Sequence, residues 1–277
     1  MIADIASGHI SMQYGFHGPN YGVVSACASS NNAIIDAFNL IRLGKANVMV
    51  TGGAEAAIYP AGVGGFNSMH ALSTRNDSPE TASRPFSASR DGFVMGEGSA
   101  VLILEELEHA KARGAKIYAE VAGGGMSADA YHMTAPLTDG SGGAAAMKLA
   151  MEEAGITPKD VDYINAHGTS TSINDLSETR MLKSVLGDHS DRINISSTKS
   201  MTGHLIGAAG AFEAMFCALA LRDGFIPPTI NLDNPDIEGG CDLNYTPNTG
   251  IKKEIKYAAS ASLGFGGHNS CIILSKI

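Results

Sequence analysis

Tryptophan is absent, basic residues are in deficit, and the few cysteines follow no spacing. A formal charge of −9 and the lack of tryptophan argue against a nucleic-acid surface, and any acidic partner would need a local basic patch. Cys27, Cys217, Cys241 and Cys271 match neither a disulfide framework nor the paired spacing of a zinc site, so a reducing compartment is the simpler setting. The opening MIADIASGHI lacks a basic n-region. The most apolar helical stretch, AAGAFEAMFCALAL, carries Glu213 and is too short to span a bilayer, so a soluble, cytoplasmic protein without a membrane partner is expected. Neither a G-x-x-x-x-G-K-[ST] loop nor a strand-borne G-x-G-x-x-G is present, which leaves nucleotide binding unsupported. No carboxylate follows a histidine in the manner of a Ser-His-Asp relay.

What remains is a chain of 277 residues, 44% hydrophobic, long enough for one large domain or two modest ones. Short apolar runs read as strands at 22–26, 47–52, 99–105, 117–122, 161–166, 193–197, 257–262 and 270–275. Segments 29–43, 141–154, 175–186 and 205–222 have apolar residues recurring at three and four, the mark of amphipathic helices. Alternating strands and helices predict an α/β layered fold with a mainly parallel sheet. The order strand, small-residue turn, helix, strand and a final strand recurs in 22–105 and 193–275, which suggests a duplicated fold, divided into 1–116 and 117–277, with one site between the halves. In this alignment His204 occupies the place of Cys27. The excursion 69–98 reads as a long ordered loop, and the glycine clusters GGGM at 123–126 and GFGGHN at 264–269 read as turns.

Cys27 stands between GVVSA and a helical stripe formed by Ile34, Ile35, Phe38 and Ile41. At a helix start, unpaired N–H groups lower a thiol pKa and can hold an oxyanion; a small buried hydrophobe is the competing reading of the same residue. His167 directly follows an apolar strand in YINAHGTSTS, and Lys199 and His204 lie in the turn STKSMTGH. Each histidine alone fits a structural role. Three strand ends bearing Cys, His and Lys/His together favour nucleophilic catalysis.

At these residues the sequence resembles the β-ketoacyl-acyl carrier protein synthases of the thiolase fold, most closely the KAS II type. The resemblance rests on SACASS, ALSTRND, SRPF with RDGFVMGEG, DAYHMT, NAHGTST, SSTKSMTGH, PPTINLDNPD and GFGGHN. It implies a duplicated α-β-α-β-α architecture and decarboxylative condensation of acyl-ACP with malonyl-ACP in fatty-acid elongation. Cys27 would accept the acyl chain, and His167 and His204 would bind the malonyl thioester carbonyl. Lys199 would organise the histidines, with Glu213 as their buried carboxylate. Cys27 and Phe265 would lend backbone N–H groups to the oxyanion. Phe265 with Phe66 would gate the acyl tunnel, and Thr169 and Thr171 would contact the pantetheine arm. No bound metal or cofactor is implied; substrates would ride on the phosphopantetheine of acyl carrier protein. A homodimer pairing GVVSA across a two-fold axis is implied too.

Several features depart from that pattern. Ser172, Ile173 and Asn174 replace the usual Pro-x-Gly before Asp175, and His70 stands where many relatives carry an arginine that meets the carrier protein. Family members have roughly another third of a subunit before the point equivalent to Met1, so the N-terminal half is expected to be incomplete, its remainder absent or supplied by a partner chain. The alternatives are a truncated, inactive remnant or one part of a split synthase that only binds acyl or carrier groups. A degradative thiolase would need a second cysteine near GFGGHN, where Cys271 already lies in a strand. The histidine pair favours elongating over initiating synthases, and the presence of Cys27 argues against a chain-length-factor subunit.

Overall fold

The glycine run at 123–126 is strand interior rather than turn. In the computed structural model, which describes residues 2–277, it lies within β3 (Glu120–Ala128) and is squeezed from both faces. A Cβ on Gly125 would lie 2.0 Å from the Ala146 carbonyl oxygen of a covering helix, and one on Gly124 would lie 2.7 Å from Ile35 on the opposite side. Glycine here permits backbone-to-backbone approach, a use that periodicity does not reveal.

Five α-helices and two strands precede or flank β3. In chain order they are α1 (Ile5–Tyr14), α2 (Ser29–Arg42), β1 (Val48–Glu55), α3 (Pro60–Ser68), β2 (Gly98–Glu105), α4 (Leu107–Ala112) and, after β3, α5 (Ser141–Glu153). The rest follows as β4 (Tyr163–Asn165), α6 (Ser172–Leu186), β5 (Asn194–Ser196), α7 (Lys199–Thr202), α8 (Ala209–Asp223), β6 (Phe225–Ile226), β7 (Ile251–Lys252), β8 (Tyr257–Gly264) and β9 (His268–Ser275). The main sheet runs β3-β9-β8-β4-β5, with β4 parallel to β5 and β8 and the other pairs antiparallel. Helices α5 and α6 cover one face through Met147, Ala150, Met181 and Leu182. On the other face α2 and α8 bury Ile34, Ile35, Ala211 and Ala214 against Tyr163, Ile272 and Leu274. The antiparallel pair β1–β2 covers the far side of α2 and α8.

That N-terminal pair alternates as a half-covered sheet should. Ala100, Leu102 and Leu104 pack toward α8, whereas Val101 and Ile103 are 55% and 66% exposed. GVVSA at 22–26 is not a strand. It approaches the site as extended chain without ladder partners, and Val24 is 84% exposed, because β1 and β2 pair with each other and leave it no neighbour among the described residues. Helices α1, α3 and α4 were not expected; α1 buries no side chain, so no apolar stripe marks it.

The duplication is visible at the starts of the central helices, with a corrected register. A 3₁₀ turn, Ala26–Ala28, leads into α2, and another, Ile206–Ala208, leads into α8. Each begins at a non-glycine residue with positive φ, +49° at Ala26 and +47° at Ile206. Cys27 therefore corresponds to Gly207, and His204 lies three residues before the matching point. The excursion 69–98 is ordered: Phe86 stacks on Tyr245 with centroids 3.8 Å apart and its N–H donates to Asp175, while Arg84 pairs with Asp91.

Candidate active site

Cys27 owes its position to a turn tied down by neighbouring side chains. Ser29 Oγ donates to the Ala26 carbonyl and accepts from Ser25 N–H, and Asn32 Nδ2 donates to Ser25 Oγ at 2.8 Å. These bonds over-determine a positive φ that alanine alone disfavours. The sulfur is turned inward: Cys27 is 8% exposed, and burial pushes its thiol up to about 11, against the opposing charge of Lys199 and a hydrogen bond donated by Phe265 N–H.

His204 reaches the sulfur from the other half, with Nε2 3.1 Å from Cys27 Sγ. Its tautomer follows from its neighbours. Ile206 N–H donates to His204 Nδ1 at 3.2 Å, so the proton of the neutral ring sits on Nε2 and points at the sulfur. His167 stands beside it, ring centroids 5.3 Å apart and edge to face. It leaves the end of β4 in a sharp loop held by Glu178, whose two carboxylate oxygens accept His167 N–H at 2.6 Å and Gly168 N–H at 2.7 Å. His167 Nδ1 is buried without a hydrogen-bond partner. Both imidazoles are held well below the usual histidine range, by burial first and then by the charge of Lys199, so both are neutral at pH 7.

Lys199 does not hydrogen-bond either ring. Its Nζ pairs with Glu213 from α8, both side chains 2% exposed, and its influence on the histidines is through its charge. Burial raises the Glu213 carboxyl to about 7, with Lys199 pulling it down.

Cys27, His167 and His204 open onto a cavity of about 250 Å³. Phe265 and Phe66 both line it, Phe265 from the β8–β9 hairpin, whose Gly266 and Gly267 take φ of +88° and +74° as the tight turn requires. Thr169 and Thr171 line it from the His167 loop and hydrogen-bond each other at 2.9 Å. His70 is exposed at its rim with φ +53°, and Ile173, 53% exposed, lies on its wall at the first turn of α6. The atoms of Cys27, His167 and His204 lie within 4.8 Å of one another, a composition that would suit a metal ion. The Ile206 bond turns a proton rather than a lone pair of His204 toward the centre of that cluster, which favours donation over coordination.

Sequence reasoning named every residue of this cluster but missed three that support it. Phe93 lies edge-on to His204 at 5.2 Å and to Phe66 at 5.2 Å, linking the rings of the two halves; it sits within RDGFVMGEG, where no role was assigned to it. Glu178 lies in an ordinary helix whose sequence carries no sign of what its carboxylate caps. Glu55 ends β1 and accepts Gly207 N–H, a contact between residues 152 apart.

Comparison with known proteins fits this geometry. Residues 1–110 match the N-terminal domain of β-ketoacyl synthases and residues 118–233 match the C-terminal domain. The chain belongs to the β-ketoacyl synthase family. It is 51% identical over 276 residues to 3-oxoacyl-[acyl-carrier-protein] synthase 2 of Staphylococcus aureus and 54% identical over 276 residues to that of Synechocystis sp., in each case covering all of this chain and 66% of the relative. The chain thus spans just under two thirds of the length of these synthases. A ketosynthase of a type II polyketide system, solved with its acyl-carrier protein and bound to a hexaketide, superposes with a TM-score of 0.96 at 41% identity, covering 99% of this chain and 67% of that one. A β-ketoacyl synthase from Burkholderia phymatum gives 0.94 at 39% identity, covering 99% and 65%. The fold is the thiolase fold of ketosynthases, its N-terminal half represented by β1, β2 and α2. Among the described residues no helix is long and apolar enough to cross a membrane.

Proposed function

We propose that this chain carries the condensing site of a 3-oxoacyl-ACP synthase, joining acyl-ACP to malonyl-ACP with loss of carbon dioxide. The observation that carries the reading is the approach of His204 Nε2–H to Cys27 Sγ at 3.1 Å, with His167 alongside and Phe265 N–H on the same sulfur. In the first half-reaction Cys27 attacks the acyl thioester, and its proton goes to the departing pantetheine thiol. The tetrahedral oxyanion rests on the N–H groups of Cys27 and Phe265.

The malonyl thioester then enters with its carbonyl oxygen between the two rings. Neutral imidazoles suit this step because each keeps an N–H to donate, and the charge develops on oxygen only as carbon dioxide leaves. The enolate carbon attacks the acyl-Cys27 carbonyl, and collapse expels the Cys27 thiolate, which takes a proton from water. Burial keeps the rings neutral and the charge of Lys199 adds to that effect, while Glu213 compensates the lysine's charge in the interior. Thr169 and Thr171, paired at the cavity wall, are the hydroxyls proposed to receive the pantetheine arm; Phe265 and Phe66 are the proposed gate. The division 1–116 and 117–277, acyl carrier protein as partner and a homodimer belong to the same proposal. A structural neighbour solved with its acyl-carrier protein supports the carrier reading.

A second reading has its own support: the exposed Val24, Val101 and Ile103 mark an uncovered N-terminal half, consistent with a chain that binds acyl or carrier groups without turnover. Incubation with acyl-ACP and malonyl-ACP decides between them. The synthase reading expects an acyl adduct on Cys27 by mass spectrometry and release of carbon dioxide, both lost in Cys27→Ala for the adduct and in His204→Ala for the gas. Absence of both from the folded chain overturns it in favour of the second.

A further inference from the structure

The turn that carries the chain from His204 into α8 holds a strained backbone close to the sulfur. Ile206 sits at φ +47°, a region that a β-branched residue enters only when its surroundings hold it there. Two hydrogen bonds flank it. Its own N–H donates to His204 Nδ1 at 3.2 Å, and the next N–H, of Gly207, donates to Glu55 Oε2 at 3.1 Å. Glu55 is the last residue of β1, in the opposite half of the duplicated fold. The strand is pressed closely there: a Cβ on Gly53 would lie 2.7 Å from Ser30 at the start of α2 and 3.0 Å from Ala208 at the start of α8. A Cβ on Gly207 would lie 3.2 Å from Glu55 Oε2 itself. The carboxylate is thus delivered by a strand with no room to shift relative to either helix start.

We propose that Glu55 is a positioning residue that holds the His204 tautomer: by accepting Gly207 N–H it fixes the strained Ile206 turn, which keeps Ile206 N–H on Nδ1 and the ring proton on Nε2. Without that acceptor the turn has a lower-energy alternative. Relaxing Ile206 to negative φ rotates the peptide planes on its two sides against each other, so the bonds to His204 and to Glu55 cannot both survive. Once Ile206 N–H leaves Nδ1, nothing in the site distinguishes the two neutral tautomers strongly. Those rings that move their proton to Nδ1 turn a lone pair toward Cys27 and can no longer donate to an oxygen there. Glu55 acts through the Ile206 turn and His204, not on a substrate. The consequence for turnover rests on the synthase reading; the tautomer itself does not.

The test uses the full chain with ¹⁵N-labelled histidine, comparing Glu55→Ala and Glu55→Gln with the parent by long-range ¹⁵N–¹H correlation at pH 7.5, alongside carbon dioxide release from malonyl-ACP. The parent is expected to show His204 as one tautomer, protonated on Nε2. Glu55→Ala is expected to show both tautomers and about tenfold slower decarboxylation, less than the roughly 100-fold or more that complete loss of an oxyanion donor costs, because part of the population keeps the Nε2 proton. Glu55→Gln, whose amide oxygen accepts the same N–H, is expected to keep the parent tautomer and a rate within about twofold. If alanine prevents folding, Glu55→Asp, one methylene too short to reach Gly207, should give the mixed tautomers instead. A single Nε2–H tautomer in a well-dispersed Glu55→Ala or Glu55→Asp spectrum overturns the proposal, as does a glutamine variant as mixed as alanine. A parent with the expected tautomer and no carbon dioxide release refutes the synthase reading alone.

Discussion

Adding one carbon at Gly264 measures how tightly the sulfur's turn is clamped. A Cβ there would lie 2.8 Å from the Ser25 carbonyl oxygen and 3.2 Å from the nitrogens of both Cys27 and Ala28. The closest of these is 0.6 Å inside the 3.4 Å at which ordinary contact begins, and all three partners are backbone. No side chain can rotate away, so the strain moves the turn or the strand. The stability cost of such overpacking is about 1–3 kcal/mol. The larger effect is local, because Gly264 immediately precedes Phe265, whose N–H reaches Cys27 Sγ. The added methyl wedges apart the two amides proposed to share the oxyanion. Complete loss of one such donor slows turnover by about 100- to 1,000-fold, and a shift of a fraction of an ångström should cost about 10- to 100-fold. In Gly264→Ala, condensation measured by 3-oxoacyl product should fall by that amount, while iodoacetamide alkylation of Cys27, which forms no oxyanion, should change by less than about threefold. Gly18→Ala, where an added carbon meets nothing within 4 Å, is the control. Turnover unchanged in a folded Gly264→Ala protein, or alkylation falling in parallel with turnover, would refute the reasoning.

Lys199→Met leaves Glu213 buried without its partner and should destabilise the protein by about 3–5 kcal/mol in urea unfolding at pH 8. Adding Glu213→Leu should recover most of that loss; a double variant no more stable than the single one would mean that the pair is not the cause. Glu178, completely buried, has its carboxyl raised to about 7 from 4.5, by burial first and against the N–H groups that it accepts. The folded state therefore holds a proton that the unfolded chain releases. The stability this contributes is full below about pH 4.5 and is lost as pH rises through about 7, about 3 kcal/mol in all. Glu178→Gln lacks that slope but leaves one of the two N–H groups facing an amide NH₂, a constant penalty of about 1–3 kcal/mol. Its stability deficit relative to the parent should thus shrink between pH 5 and pH 8; a deficit independent of pH would contradict the assignment.

The limits of the sequence as a guide follow the range of the forces involved. Cys27, His167, Lys199 and His204 were legible because each lies at a junction between an apolar run and a polar turn, a pattern set by neighbours within a few residues. The helices α2, α5, α6 and α8 were legible for the same reason: each buries one stripe against a sheet. What was not legible depends on distant chain. Whether GVVSA forms a strand is decided by the presence of a neighbour to pair with, and β1 and β2 satisfy each other instead. Whether GGGM is a turn or a strand is decided by how closely α5 must approach, and its Ala146 carbonyl leaves no space for a Cβ. Glu178 and Glu55 look like solvated acids in a helix and at a strand end until the loops that they cap fold onto them. The duplicated turns show the same limit within a motif that was partly read. Small residues before a helix signalled the repeat, yet only the matched positive φ of Ala26 and Ile206 fixes its register. That register pairs Cys27 with Gly207, the residue whose N–H Glu55 accepts. One helix-start turn thus carries the thiol, and its counterpart in the other half is occupied by the chain's own carboxylate.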